Sequence, residues 1–145
     1  MKKQKKHALS KLDKSIKIYG DTDFRGKSCP KEGAEQVTIF NELRINHPEI
    51  AKLATHIKNE GKRTEAQISE DKRMGLNTGF SDVIIIGCPP MVCEVKRADM
   101  TKSTYTDEQE QFLIDAKESG AFAFIALGHK GFFEALKDWK NAQRR

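Results

Sequence analysis

Two short apolar runs set close together, Asp82-Val83-Ile84-Ile85-Ile86 and Met91-Val92-Cys93-Glu94-Val95-Lys96, constrain this chain more than any other feature. The first is an unbroken β-branched stretch, the pattern of a strand buried on both faces. Gly87-Cys88-Pro89-Pro90 supplies turn chemistry between them, so the pair is expected to form a β-hairpin. Any fold must then cover both faces of that hairpin. The rest of the chain supplies the cover.

Ser28 and Pro30 are placed to open a helix that runs along Val37, Phe40 and Leu43 and stops before Pro48. A second short helix is expected over Glu49 to Thr55, and residues 61–77 are polar and weakly helical, ending at Gly75. After the hairpin, Thr106 caps a helix through Gln109, Phe112, Leu113 and Ala116 that ends at Gly120. Phe122 to Leu127 reads as a third buried strand, and residues 131–140 as a last helix carrying Phe132, Phe133, Leu136 and Trp139. Trp139 is assigned to the core or to a subunit contact. The order α, α, hairpin, α, β, α predicts an α/β fold with a small central mixed sheet flanked by helices, not a parallel Rossmann sheet.

The 145 residues suit one domain with a single modest core. Seven lysines stand against one acid in residues 1–20, which exceeds the net charge of +5, so the remainder is close to neutral. A cationic arm suits a polyanionic partner and reads equally as a solubilising terminus. Leu9, Leu12, Ile16 and Tyr19 fall at near-helical spacing within it, which predicts a short docked amphipathic helix. Residues 1–27 are accordingly read as a basic N-terminal extension and linker, and 28–145 as the folded domain. Cys29, Cys88 and Cys93 are too few and oddly numbered for a disulfide framework, and lack finger spacing for zinc. No apolar run approaches the roughly 20 residues of a membrane span, so a cytoplasmic location without membrane attachment is expected.

Charge interrupts the hairpin in one place. Val92, Glu94 and Lys96 share a strand face, and Asp82 opens the neighbouring strand. Taken alone, Glu94 and Lys96 read as an ion pair on a solvated face. With Asp82 alongside, two carboxylates and a lysine converge at one edge of the sheet. Semi-buried like charges need a compensating cation, which Lys96 or a divalent metal supplies. Magnesium takes one or two carboxylates, waters and a substrate phosphate. Such a group suits phosphodiester hydrolysis, which needs an activated water and neutralised phosphoryl charge. His7, His47, His56 and His129 have no partner at ligand spacing and are not assigned to catalysis.

Gly79-Phe80-Ser81-Asp82 followed by Glu94-Val95-Lys96 resembles the signature of the PD-(D/E)XK nuclease superfamily, with Ser81 where its name has proline. Along residues 31–140 the chain resembles the virus-type replication-repair nuclease (VRR-NUC) family. Glu32 and Gln36 are similar to its Glu-x-x-x-Gln, Asn59-Glu60-Gly61-Lys62-Arg63 to the stretch before its glycine loop, and Thr106-Asp107-Glu108-Gln109 to its Ser/Thr-x-x-Gln. The resemblance implies a restriction-endonuclease-like core and a Mg²⁺- or Mn²⁺-dependent endonuclease. It implies that Asp82, Glu94 and the Val95 carbonyl hold the metal, with Glu32 reaching it through water. It further implies that Lys96 acts on the attacking water, that Gln36 and Gln109 position water, phosphate or Lys96, and that Asn59, Lys62 and Arg63 contact the DNA backbone. Compact members of the family resemble Holliday-junction resolvases, so branched DNA and a homodimer are the expected partners. Flap, nicking or single-strand cleavage, or a non-catalytic DNA-binding module, are the alternatives.

Overall fold

The computed structural model describes residues 5–57 and 64–144. The elements, in order, are β1 (Lys6–Ala8), β2 (Lys17–Tyr19), α1 (Glu32–Asn46), α2 (Pro48–Ala51), β3 (Ala54–His56), α3 (Glu65–Arg73), β4 (Val83–Ile85), β5 (Met91–Lys96), β6 (Thr104–Thr106), α4 (Asp107–Glu118), β7 (Phe122–Leu127) and α5 (Gly128–Ala142). Five strands form one mixed sheet in the order β2-β7-β5-β4-β3. β5 runs antiparallel to β4 and parallel to β7, with Val83 opposite Cys93 and Lys96 opposite Leu127. The expected hairpin and the small mixed sheet flanked by helices are both present.

Side-chain alternation divides the interior in two. Val83, Ile85, Met91, Cys93 and Val95 face one layer, where Ile39 and Leu43 of α1 and Phe132, Leu136 and Trp139 of α5 complete the larger core. Val92, Ile125 and Leu127 face the other, against Leu113 of α4 and Leu9, Leu12 and Ile16. Glu94 and Lys96 lie on this second side of β5 by the same alternation. Gly131 lets α5 sit tightly on β2, because a Cβ there would stand 2.4 Å from the Tyr19 carbonyl oxygen. No helix among the described residues is long and apolar enough to cross a membrane.

Four expectations need correction. The basic N-terminal segment is woven into the fold from Lys6 onward rather than attached as an arm, and Leu9, Leu12, Ile16 and Tyr19 are buried without forming one helix. A single 3-10 turn at Leu9–Lys11 and an Asp13 turn, closed by Ser15 N–H and hydroxyl bonds to Asp13 Oδ1, separate β1 from β2. Tight turns also advance three or four residues, so they mimic helical spacing. Deleting residues 1–20 is therefore expected to leave the protein insoluble or molten instead of merely weakening DNA binding. Loss of four buried side chains, each worth about 2–5 kcal/mol in a core, exceeds the margin of an ordinary domain. Circular dichroism of the truncated chain with a wild-type melting transition would contradict this.

The first helix starts at Glu32, not near Ser28, because the Arg97 guanidinium binds the Cys29 and Pro30 carbonyls and holds that stretch extended. Its inward stripe is Glu35, Ile39 and Leu43, whereas Val37 is 62% exposed. Glu35 takes an inward position because the backbone N–H and Nδ1 of His129 bond it there, and a charged residue in the stripe disguised the phase. Finally, the segment expected as a helix over Glu49 to Thr55 is helical only through Ala51, and Ala54–His56 becomes edge strand β3. The open edge of β4 captures it through Ala54–Ile85, Thr55–Ile84 and His56–Val83 pairing, with Ile57 N–H bonded to the Asp82 carbonyl at 2.7 Å.

Candidate active site

The site lies where β4 begins and β5 ends. Asp82 sits one residue before β4, where the backbone ladder has stopped, and its Oδ2 accepts the Val95 N–H at 2.9 Å. A side chain has replaced the next rung. Because N–H and C=O of one strand residue leave on the same edge, the Val95 carbonyl lies on the Asp82 side as well. Continuing the Val83–Cys93 register by one residue sets Asp82 opposite Glu94. The two carboxylates therefore share a face.

Glu94 and Lys96 are each 3% exposed. Lys96 Nζ lies 3.7 Å from Glu94 Oε1 and 4.0 Å from Glu32 Oε1. Glu94 Oε1 also accepts a hydrogen bond from Gln109 Nε2 at 3.2 Å, while Glu94 Oε2 is buried and, among the described residues, has no donor to satisfy it. Burial, above all, and then the neighbouring Asp82 carboxylate push the Glu94 carboxyl well above the usual glutamate range, against the pull of Lys96. An orphaned oxygen on a carboxyl forced toward its neutral form is a site short of positive charge.

Gln109 reaches Glu94 because the start of α4 is fixed. Thr106 Oγ1 accepts the Gln109 N–H at 3.2 Å and Gln109 Oε1 accepts the Thr106 N–H at 3.0 Å, a reciprocal cap that also settles which end of the amide faces Glu94. Gly79 packs under the same turn. Its φ of 80° favours glycine, and a Cβ there would stand 2.5 Å from the Glu108 carbonyl oxygen. Phe80 and Phe112 pack against each other nearby, tilted by 39° with ring centroids 4.1 Å apart. Gly79→Ala is expected to destabilise the protein by roughly 2–4 kcal/mol through strain and backbone collision and to displace Gln109 from Glu94. Denaturant melts with an unchanged midpoint would show that the turn gives way freely.

Glu32 enters from the first turn of α1, its Oε1 accepting the Ser103 hydroxyl at 3.0 Å. Gln36 is half-buried one turn further along, and among the described residues it makes no hydrogen bond to Asp82, Glu94 or Lys96. The sequence-predicted Asn59, Lys62 and Arg63 lie outside the described residues. The sequence reasoning missed Ser103 and Arg97, for which no spacing signal exists, since both act through bonds to distant loops. Glu35 was missed too; an acid four residues before Ile39 was the available sign.

No group of three or more His, Cys, Asp or Glu among the described residues is arranged to chelate a metal. The donor set is instead two carboxylates, one of them with an unpartnered buried oxygen, plus the backbone edge at Val95. That is the set a magnesium-sized ion accepts, since it keeps several waters and takes one or two carboxylates. The residues fit a divalent cation.

The sequence matches no family model and no curated protein. The fold, by contrast, is shared. A solved structure named "VRR_NUC domain protein" superposes with a TM-score of 0.64 at 18% identity, covering 79% of this chain and 91% of that one. The architecture is thus that of the VRR-NUC domain, as the motif resemblance anticipated. At that identity the likeness establishes the fold, and the chemistry rests on the residues just described.

Proposed function

We propose that this protein is a divalent-metal-dependent DNA endonuclease whose active site is built from Asp82, Glu94 and Lys96. The observation that carries the reading is the buried, unpartnered Glu94 carboxylate oxygen beside Asp82, with a lysine ammonium on its other side. A structural ion pair has no use for that orphan. A cation does.

Asp82 and Glu94 would hold Mg²⁺ or Mn²⁺, with the Val95 carbonyl as a further donor and Glu32 beyond them, acting through water. When bound, the ion activates water and neutralises charge on the phosphoryl oxygens. Lys96 presents its ammonium to the attacking water and to the negative charge that develops as the new P–O bond forms and the old one breaks. Gln109 keeps Glu94 Oε1 fixed, which would leave the other oxygen free to hold the ion. Gln36 and the segment with Asn59, Lys62 and Arg63 complete the reading as contacts to water, phosphate or the DNA backbone.

Within this reading the substrate is branched DNA, and the working unit a symmetric homodimer that resolves a four-way junction. The described residues of one chain carry one such site, whereas resolution needs two symmetric strand breaks, and two-fold pairing provides them. The test is to offer labelled four-way, flap, duplex and single-stranded DNA in parallel with Mg²⁺, Mn²⁺ or EDTA, alongside sedimentation. Metal-dependent cutting that favours the junction, by a dimer, is expected. Preference for flaps or single strands would remove the resolvase assignment, and a monomer on the junction would remove the dimer.

A further inference from the structure

The loop before α1 and the loop after β5 are laced together by side chains that the proposed chemistry leaves unused. Arg97, directly after Lys96, donates from Nη2 to the Cys29 carbonyl at 2.5 Å and from Nε to the Pro30 carbonyl at 3.2 Å. Lys102 Nζ donates to the Lys27 carbonyl at 2.8 Å, and Asp99 Oδ2 accepts the Gly26 N–H at 3.1 Å. These contacts fix the backbone that leads directly into Glu32. Between the two loops sits Ser103, buried, whose Oγ accepts the Arg97 N–H at 2.9 Å and donates to Glu32 Oε1 at 3.0 Å.

Glu32 needs such a tether. Its side chain is 40% exposed and belongs to the first turn of a helix, where water and the α1 N-terminal N–H groups offer it other stable positions. Lys96 at 4.0 Å is beyond hydrogen-bond range and cannot alone select one rotamer. We infer that Ser103, braced by Arg97, is a positioning residue that locks Glu32 against Lys96, so that the lysine ammonium is held between two carboxylates and aimed at the reacting phosphate. The inference rests on the nuclease reading and deepens it. The circuit closes on itself: the residue after Lys96 anchors the hydroxyl that orients the carboxylate facing Lys96.

A double-mutant cycle tests it, using the full chain and Mn²⁺. Wild type, Ser103→Ala, Glu32→Ala and the double variant are compared by single-turnover cleavage at saturating metal, with Mn²⁺ affinity read separately by calorimetry. Ser103→Ala is expected to lower the maximal rate roughly ten- to a hundredfold, the usual loss when an orienting partner goes, while the Mn²⁺ dissociation constant changes far less because Asp82 and Glu94 are intact. In the Glu32→Ala background the serine should no longer matter. A wild-type rate in Ser103→Ala, an equal loss in both backgrounds, or a large drop in Mn²⁺ affinity would overturn the inference and leave the nuclease standing. Absence of cleavage by the wild type would remove both.

Discussion

Glu94→Gln is expected to abolish cleavage and, in EDTA, to raise the melting temperature by several degrees. The wild-type carboxyl is buried beside Asp82 with one oxygen unpartnered, so in metal-free protein it is an unfavourable group that folding must accommodate. The amide keeps the oxygen that Gln109 bonds and turns an N–H toward the Asp82 carboxylate, which removes a penalty of about 1–3 kcal/mol. The pH dependence has a definite sign. Glu94 has a raised pKa in the folded state, so folding takes up a proton. Its favourable contribution is complete below the ordinary glutamate value of 4.5 and is lost as pH climbs toward the raised value. Metal-free wild type should therefore lose stability relative to Glu94→Gln as pH rises above about 4.5, and Mn²⁺ should restore it in the wild type alone. Thermal melts across pH 5–8, with and without metal, measure this, and parallel curves for the two proteins would contradict it.

Lys96→Ala is expected to have the opposite effect on stability and to suppress activity as well. It removes the ammonium from between Glu94 and Glu32 and leaves the buried Glu94 carboxylate without a facing cation. Breaking a buried pair from one side costs about 3–5 kcal/mol, and loss of a charge-stabilising donor slows the chemical step about 10²–10³-fold or more. The defect should be largest in EDTA at neutral pH and should shrink on acidification, as Glu94 takes up its proton. Combining the substitution with Glu94→Gln should recover much of the lost stability and none of the activity. Denaturant melts of the four proteins check the coupling; strictly additive changes would mean that Lys96 and Glu94 do not face each other as described.

Much of this site was legible because its residues lie on the most regular part of the chain. Period-2 alternation placed Glu94 and Lys96 on one face, the turn brought Asp82 alongside, and Thr106 with Gln109 announced the helix that supports them. Each of these signals is local. What was illegible depends on contacts across the chain. β3 exists because the edge of β4 was open, and the start of α1 is delayed because Arg97, 67 residues after Pro30, binds its carbonyl. The N-terminal segment misled for a different reason: its buried residues are spaced by turns, and its seven lysines drew attention to charge while Leu9, Leu12, Ile16 and Tyr19 went into the two cores. Composition reports what is exposed, not what is anchored.

Metal-dependent catalysis at the Asp82–Glu94 pair can be tested directly. Its most direct test is single-turnover cleavage of end-labelled four-way, flap and duplex DNA by wild type and Glu94→Gln, purified in parallel and assayed with Mn²⁺ and with EDTA. Strand cleavage is expected from the wild type with Mn²⁺ only, and none from Glu94→Gln under either condition although that protein is folded and binds the DNA. Cleavage that survives EDTA, or a Glu94→Gln protein that cuts at the wild-type rate, would contradict it.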